Sequence, residues 1–600
     1  MPQCIYKNED GTICKEDALS KSSFCIFHEK LNKKDDGKCM YLFYNKLRAG
    51  NGNFEGFILK DVNLKNENIT EINTEVNFKN AIFYGNTIFD NVKFDGKTKF
   101  NGCKFRGLAS FNNSKFSDTS DFEKAEFLNN LNFIGAELSK EVKFGNSLFK
   151  GRTQFDHSQF KDFIYFGDCI FYKDTFFVKT EFSGDVNFSE SEFLESASFL
   201  EAIFEKMVIF REIKFNGNTF FNNCYFKGEG GFYDTSFSQW TIFNSSQFYN
   251  KVFFLKCNFS DVVDFTSTIF HEDANFSSVF EALAEFSFSG FYRKGDFRLS
   301  HLNVVNFINS DLTNVNFDNI NLSNCKFSGA MIDRARISNA KWDSDWRKKW
   351  RKIILREEME TICGKYICTH CGTVDIAEGI KCRGCYRAFV NDTESFDCPV
   401  CGYKNNEKTE TCKNCSTKFT KKRENRDFRN KTQNYQNVEN VYRNIKLSLQ
   451  NEGDYNVAGE FYFNEMLMKR KGLFHKSKEE KKITNKINYF FSWLLSHFYS
   501  KLCGYGEKPL RVIASWIIII LLFGGFYLIT NSIIPSNGNN NLSTFDNFYF
   551  SVVTFTTLGF GDIQPSSTIL LGKIASMAEA LIGAFMMALF VYVFGRKMLR

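Results

Sequence analysis

The stretch FKNAIFYGNTIFDNVKFDGKTKFNGCKF, residues 78–105, sets the pattern for the long first half of the chain. Phenylalanine recurs in it after alternating steps of five and six residues, and the same register runs on to Phe276 with only Leu138 breaking it. An 11-residue period also suits a right-handed coiled coil. On a helix, however, such steps rotate a side chain by about 140° and 240°, so successive rings would fall on different faces. Abundant Asn, Gly, Ser and Asp disfavour helix as well. The pattern therefore predicts a solenoid in which each short segment places one large side chain inside and then turns a corner.

Further along, the repeat shortens to steps of five between Phe297 and Trp342. The text DLTNVNFDNINLSNCKF, residues 311–327, resembles the pentapeptide-repeat family, whose fold is a right-handed four-sided β-helix. Small residues two positions before the central one, such as Ala109 before Phe111, fit that family. The alternating sixth residue departs from the family pattern and implies a bulged or rounded corner. We expect roughly 13 coils and a length on the order of 60 Å for this domain, residues 51–342.

The composition of the solenoid does not point to an enzyme. The chain has 73 Phe and 5 Pro, which predicts a repetitive architecture. Some pentapeptide-repeat proteins imitate DNA with acidic surfaces, but acidic and basic residues nearly balance in this segment. His157, His271 and His301 have no partners at a meaningful spacing. The sequence therefore favours a spacer, or a scaffold that docks a cytoplasmic protein or a ligand.

A short domain, residues 1–50, precedes the repeat. Cys4, Cys14, Cys25 and His28 have the ligand types of one tetrahedral zinc site, and the C-x-x-H pair resembles a small CCCH zinc knuckle. The alternative is a loose, reduced tail. A basic and aromatic helix is expected over 38–48. The N-terminus does not have the pattern of a signal peptide, which favours reduced cysteines.

Residues 363–420 carry two further cysteine sets. Each set has two C-x-x-C pairs separated by ten residues, which resembles tandem zinc ribbons with structural zinc. Four thiolates leave no open position on the metal, so zinc catalysis is not expected, and a thioredoxin-like context for redox use is lacking. The predicted ligands are Cys368, Cys371, Cys382 and Cys385, then Cys398, Cys401, Cys412 and Cys415.

The flanks of the ribbons are basic. A basic helix is expected over 343–362, and Lys421, Lys422 and Arg423 follow the second set. Beside a membrane, such a basic cluster is explained more simply by contact with anionic lipid or by its effect on membrane orientation than by binding of nucleic acid. Nucleic acid is therefore not an expected partner. Cys363 belongs to neither set and has no assigned role.

A helical hairpin is predicted over 421–485, with amphipathic stretches broken near residues 451–454. Within 486–508, the apolar run Ile487–Leu502 is about 16 residues long and contains Ser and His. A spanning helix needs roughly 20 residues, so an interfacial helix is favoured over a third span.

The last domain, residues 509–600, contains two apolar segments that predict transmembrane helices over about 511–531 and about 568–595. Lys and Arg flank the first segment and follow the second, whereas residues 531–568 contain neither. The positive-inside rule places both termini in the cytoplasm and the intervening loop outside.

That loop contains TLGFGD, residues 557–562, after a predicted pore helix that begins near residue 544. The six residues Thr557, Leu558, Gly559, Phe560, Gly561 and Asp562 resemble the selectivity filter of two-helix prokaryotic potassium channels. The resemblance implies rings of backbone carbonyls around a dehydrated ion, contributed by four chains. It also implies a hydroxyl ring from Thr557, outward packing of Phe560 and negative charge at the outer mouth from Asp562.

Three other residues of this domain have candidate roles. Gly583 lies at a plausible gating hinge of the second helix, although small residues there are as often packing sites. Glu579 is expected to bond the pore helix or, alternatively, to line the pore, because an unpaired charge in lipid is costly. Val553 stands where several relatives carry a glutamate behind the filter.

Together these features predict a multidomain, non-enzymatic membrane protein: a homotetrameric potassium channel whose K⁺ ions diffuse passively across the cell membrane. The alternatives are a nonselective cation channel, and a membrane-tethered scaffold whose ribbons or solenoid bind a partner.

Overall fold

The chain divides into two compact units: Met1–Asp343 with Leu355–Arg426, and Ser344–Ile354 with Asp427–Arg600. The computed structural model describes residues 2–343, 353–364, 366–375, 381–382, 385, 387–390, 395–400, 403–406, 409–424, 426, 430–536 and 542–598.

The first unit is dominated by a four-sided β-solenoid. One turn consists of the strands Val76–Asn77, Ile82–Phe83, Thr87–Ile88 and Lys93–Phe94. The next turn begins with Thr98–Lys99, which pairs in parallel with Val76–Asn77. Most strands have two residues; the longest is Val279–Glu285. One side has 12 strands, so the solenoid has about 12 turns, close to the number expected from the repeat.

Phenylalanine rings fill the interior in four columns, one for each side. Phe78 stacks on Phe100 at 5.1 Å between ring centroids, and Phe83 on Phe105 at 4.8 Å. Rings of opposite columns meet edge to face, as Phe100 and Phe111 do with centroids 5.6 Å apart. Stacked and edge-to-face pairs at such distances add about 0.5–1.5 kcal/mol each to the gain from burial. The Phe register therefore forms the core, as predicted.

The two step lengths produce two kinds of corner. In the five-residue step after Phe78, Asn80 takes a left-handed conformation (φ 56°), and such a residue recurs about every eleven residues. In the six-residue step, Gly107 lies so close to the preceding turn that a Cβ would come within 2.4 Å of the Gly85 carbonyl carbon. The sixth residue leaves the parallel pairing from turn to turn intact.

A ladder of small polar side chains lies between the Phe columns and the backbone. Cys103 donates to the carbonyl oxygen of Phe78 at 2.8 Å, and Cys169 and Thr180 repeat this contact with Phe144 and Phe155. Burial raises the pKa of the Cys103 thiol. These solenoid cysteines are therefore structural donors and are poorly suited to metal binding or redox chemistry.

Both ends of the solenoid are covered. At the N-terminal end, helix α1 (Asp36–Arg48) places Phe43 against Phe54 with a centroid distance of 5.0 Å. At the other end, helix α2 (Arg356–Cys363) lies against the last strands, where Lys326 pairs with Glu360 at 2.6 Å. Covered ends prevent the terminal strands from pairing with other chains.

Helix α2 differs from the basic helix predicted over 343–362. Residues 344–352 of that prediction lie outside the described residues. Leu355 is extended (φ −83°, ψ 151°), and the first turn of α2 contains Glu357 and Glu358. The described helix is therefore shorter and acidic at its start, which suits the positive end of the helix dipole.

The second unit is helical. Helices α3 (Lys431–Asn451) and α4 (Tyr455–Glu479) form the predicted hairpin, with Asn430 and Asp454 as their N-caps. Helix α5 (Ile483–Cys503) follows as one continuous helix. Helices α6 (Pro509–Thr530) and α8 (Leu570–Met598) are the two in the described chain that are long and apolar enough to cross a membrane. Between them lie helix α7 (Thr544–Phe555) and two paired strands, Ile533–Pro535 and Ile563–Pro565.

Candidate functional site

Helix α7 begins with a capping box between the two apolar helices. The Ser543 hydroxyl accepts from the backbone N–H of Asp546, whose carboxylate accepts from the N–H of Ser543 at 2.7 Å. The helix buries Phe550, Val553 and Phe555 against the rest of the domain. Its C-terminus therefore ends at a fixed point, and the negative end of its dipole is turned toward the residues that follow.

Those residues are Thr557–Asp562, and their backbone is unusual. The angle φ is positive at Thr557 (57°), Gly559 (57°) and Gly561 (77°), whereas the residues between them are not in the left-handed region. In a β-strand, successive peptide carbonyl groups point to opposite sides. Alternation of the sign of φ turns them to the same side instead. The glycines adopt it without steric cost, and Thr557 adopts it against its ordinary preference.

The segment is held at both ends. At its start, the N–H of Leu558 donates to the Val553 carbonyl at 3.0 Å. At its end, the N–H of Ser536 donates to the Asp562 carbonyl at 2.9 Å. The strand Ile563–Pro565 then pairs with Ile533–Pro535 and ties this end to the chain leaving α6. Between these anchors, Leu558 and Phe560 are 60% and 65% exposed in the isolated subunit.

Glu579 lies in the first half of α8 and is fully buried. Its carboxylate accepts from the Tyr527 hydroxyl of α6 at 2.8 Å and from the Ser551 hydroxyl of α7. One carboxylate thus connects α6, α7 and α8. This is the arrangement expected from a bond to the pore helix, and Glu579 does not face the exposed side of the subunit.

Gly583 lies one turn further along α8, where the helix crosses the end of α7. A Cβ at this position would lie 1.9 Å from the carbonyl oxygen of Phe555. The glycine therefore permits the backbones of α7 and α8 to approach closely. This is a packing role, which the sequence left open as the alternative to a gating hinge.

The N-terminal cysteines and histidine meet as predicted. The Sγ atoms of Cys4 and Cys25 lie 3.5 and 3.1 Å from Nδ1 of His28, and Cys14 Sγ is 3.9 Å from Cys25 Sγ. The other ring nitrogen of His28 donates to the Glu55 carbonyl at 2.9 Å, which leaves Nδ1 free to bind a metal. Burial lowers the pKa of His28 and favours the neutral ring that a metal requires.

The cysteines of the ribbons also gather. Four sulfurs bound to one zinc at about 2.3 Å lie about 3.8 Å apart. The Cys368–Cys385 and Cys371–Cys382 distances are 3.8 and 3.5 Å, and Cys398 and Cys415 are 3.7 Å apart. Cys412 lies within the second group. Cys401 lies outside the described residues, so three of the four predicted ligands of that site are placed.

Sequence reasoning missed the contact between the ribbons and the solenoid. Asp261 of the solenoid is buried and faces Arg387 (3.2 Å), Lys418 (3.3 Å) and His370 (3.4 Å) of the ribbons. Burial raises the pKa of Asp261, but the hydrogen bond from the Val262 backbone N–H and the charges of Lys418 and Arg387 outweigh it and hold the pKa well below its usual range. Trp240 donates to His370 Nε2 at 2.7 Å.

Two features of the sequence could have drawn attention to this contact. Trp240 is the one tryptophan among the repeats before Trp342, and His370 lies inside the first C-x-x-C pair. No spacing rule connects either of them to Asp261, because residues of different domains meet only through the tertiary fold.

Comparisons with known proteins divide the chain in the same way. Residues 515–600 match a family model described as ion channel. Models described as pentapeptide repeats match several overlapping stretches between residues 78 and 225, and residues 300–341. A search of curated proteins gave no significant match.

Among solved structures, one similar chain is HetL, a pentapeptide repeat protein involved in heterocyst differentiation regulation from the cyanobacterium Nostoc sp. strain PCC 7120. It is 11% identical, and the match covers 50% of this chain and 92% of HetL with a TM-score of 0.12. At that TM-score the likeness supports no conclusion about this chain. The family matches and the geometry agree that the chain joins a pentapeptide-repeat β-solenoid to a C-terminal ion-channel domain.

Proposed function

We propose that the protein is a tetrameric, potassium-selective channel through which K⁺ diffuses passively across a cell membrane. The observation that carries this proposal is the backbone of Thr557–Asp562, where φ alternates in sign between two fixed ends. A potassium ion loses its water only where backbone oxygens replace it in successive rings. A segment whose peptide groups turn to one side supplies such oxygens.

Four subunits follow from the same segment. One chain contributes one strand of oxygens, which cannot surround an ion. In the isolated subunit residues 557–562 are exposed, as are apolar side chains of α8 such as Leu581 and Phe585. Assembly around a fourfold axis would bring the four filters together and bury part of this apolar surface.

The orientation is inferred from charge. Arg511 precedes most of α6, and Arg596 and Lys597 end α8, whereas residues 531–568 contain neither Lys nor Arg. The positive-inside rule therefore places the filter outside and both termini in the cytoplasm. The cysteine clusters would then lie in a reducing compartment, where thiolates bind zinc and remain unoxidised.

Structural zinc is proposed at the three cysteine clusters. The sulfur–sulfur distances in the ribbons fit one tetrahedral ion in each, and the N-terminal site has three thiolates and one imidazole. Cys368, Cys371, Cys382 and Cys385 would close one site completely. A closed site has no position for substrate, so zinc would stabilise the fold.

A contact at the inner end of α8 suggests how cytoplasmic segments influence conduction. Arg596 pairs with Glu507 at 3.1 Å, and its guanidinium lies 4.9 Å from the ring of Tyr462 in α4. Lys508, just before α6, pairs with Glu460 of the same helix. The hairpin α3–α4 thus contacts the ends of both apolar helices, and its movement would shift the inner end of α8.

The proposal is tested by ion flux through purified protein in liposomes. Wild-type protein is expected to release a potassium gradient, and Gly559→Ala is expected to abolish this release, because alanine disfavours the left-handed backbone there. Gly525→Ala is a control, since a Cβ at Gly525 has nothing within 4 Å. The mass of the solubilised particle should equal four chains of 69.6 kDa plus detergent.

An absence of flux in correctly assembled protein would contradict a channel and favour the membrane-tethered scaffold. Equal flux of potassium and sodium would favour the nonselective channel, since Leu558 and Phe560 are permissive residues in the filter.

A further inference from the structure

A cleft of 540 Å³ lies where the ribbons meet the solenoid. The solenoid contributes Gln239 and Trp240 to its lining, and the ribbons contribute Arg387, Phe396, Phe419 and Lys421. Small-molecule sites in proteins occupy about 300–1,000 Å³ and are commonly found where two domains meet. The cleft therefore has the size and position of a ligand site, and it lies far along the sequence from the proposed filter.

One part of this cleft is aromatic. Trp240 is fixed by its hydrogen bond to His370 (2.7 Å), so the indole is held in one orientation. Phe396 meets Phe419 edge to face with centroids 4.9 Å apart. Rigid aromatic surfaces of this kind bind flat rings by stacking, with little loss of side-chain entropy.

Another part is cationic. Arg387 uses Nη2 to pair with Asp261, but its Nε is buried and has no hydrogen-bond acceptor among the described residues. Lys421 also lines the cleft, and Glu410 is the acidic residue of the lining. Asp261 is paired with Arg387 and Lys418 and is 3% exposed, so it offers little charge to a ligand. The guanidinium of Arg387 and the ammonium of Lys421 make this part of the lining positively charged, which favours an oxyanion.

From these two surfaces we propose that the cleft binds a mononucleotide. The base would lie against Trp240 and Phe396, and the phosphate would approach Arg387 and Lys421. The planar ring and the anionic group are both needed, because each half of the lining recognises one of them. The proposal does not depend on ion conduction.

The test is calorimetric titration of the full-length, zinc-loaded protein in detergent micelles. The probes are AMP, GMP, UMP and CMP, the corresponding nucleosides, and ribose 5-phosphate. At least one mononucleotide is expected to bind at one site per chain, at least about tenfold more tightly than its nucleoside and than ribose 5-phosphate. Trp240→Ala and Lys421→Ala should each weaken that binding about tenfold.

Two further variants separate binding from folding. Trp240→Phe keeps a ring at the wall and should retain most of the affinity, whereas Arg387→Lys keeps a charge beside Asp261 but removes the Nε donor and should weaken it. Lys173→Ala, on an exposed solenoid pair with Glu195, is the control and should bind normally. The proposal is overturned if no mononucleotide binds at about millimolar concentration. It is also overturned if ribose 5-phosphate binds as tightly, or if affinity is unchanged in Trp240→Ala, Lys421→Ala and Arg387→Lys alike.

Discussion

At the scale of single residues, Glu579 shows how a costly group becomes structural. An ionisable side chain in a membrane helix needs partners, and this one receives hydroxyl groups from α6 and α7. Sequence alone indicated that a partner should exist. It did not identify Tyr527 and Ser551, because neither lies at a fixed spacing from Glu579 and each belongs to a different helix.

Replacement of Glu579 by leucine should destabilise the assembled domain. The hydroxyls of Tyr527 and Ser551 would lose their acceptor, at about 1–3 kcal/mol for each buried group left unpaired. Glu579→Gln keeps one acceptor oxygen and should cost less. Thermal dissociation of the purified protein measures the effect, and Met577→Leu, at an exposed position of the same helix, is the control. Equal stability of the leucine variant and the wild type would show that these bonds contribute nothing.

Gly583 allows a second prediction at this scale. Gly583→Ala places a methyl group 1.9 Å from the Phe555 carbonyl oxygen, so α7 or α8 must shift. Because Phe555 lies two residues before the proposed filter, we expect lower thermal stability together with reduced potassium flux. Gly595→Ala on the same helix has nothing within 4 Å and should behave as wild type. A Gly583→Ala protein with normal stability and normal flux would contradict the packing role.

At the scale of elements, the sequence was most informative where one rule repeats. The Phe register predicted the stacked columns, because each turn buries its rings only against its neighbours. The paired C-x-x-C spacing predicted which cysteines meet, because that turn brings two thiolates together. The late start of α2 at Arg356 and the contact of Asp261 with the ribbons could not be predicted. Both depend on surfaces that exist only after the solenoid has folded.

Removal of zinc should affect these elements unequally. Strong chelation is expected to unfold the ribbons, whose buried clusters contain metal ligands, and the N-terminal knuckle, whose four candidate ligands would lose their ion. The Phe columns need no metal and should persist. Amide hydrogen exchange would show faster exchange at Tyr366–Cys368 and unchanged exchange at Phe100–Phe210. Protection that is the same with and without chelator would contradict structural zinc.

The contact between Glu507 and Arg596 is an element-scale prediction for gating. Glu507→Gln removes the charge that Arg596 faces at 3.1 Å and should free the inner end of α8. We expect a changed open probability in single-channel recordings with unchanged conductance, because the filter is remote in sequence and separately anchored. Lys597→Gln, next to Arg596, is the control. An unchanged open probability in Glu507→Gln would show that the Glu507–Arg596 ion pair does not contribute to gating.

At the scale of the whole molecule, the chain joins a C-terminal ion-channel domain to a much larger part that contains the β-solenoid and the cysteine clusters. In the proposed function, Thr557–Asp562 would conduct the ion, and helix α4 would influence the inner end of α8. If the soluble domains regulate conduction, removal of residues 1–480 should change open probability while selectivity is retained.

We propose above all that Thr557–Asp562 selects potassium. The reversal potential of the purified protein in a planar bilayer, with potassium on one side and sodium on the other, tests this selectivity. We predict a reversal potential displaced strongly in the direction of a membrane that passes potassium only. A reversal potential near zero would show that the two ions pass equally and would contradict the account.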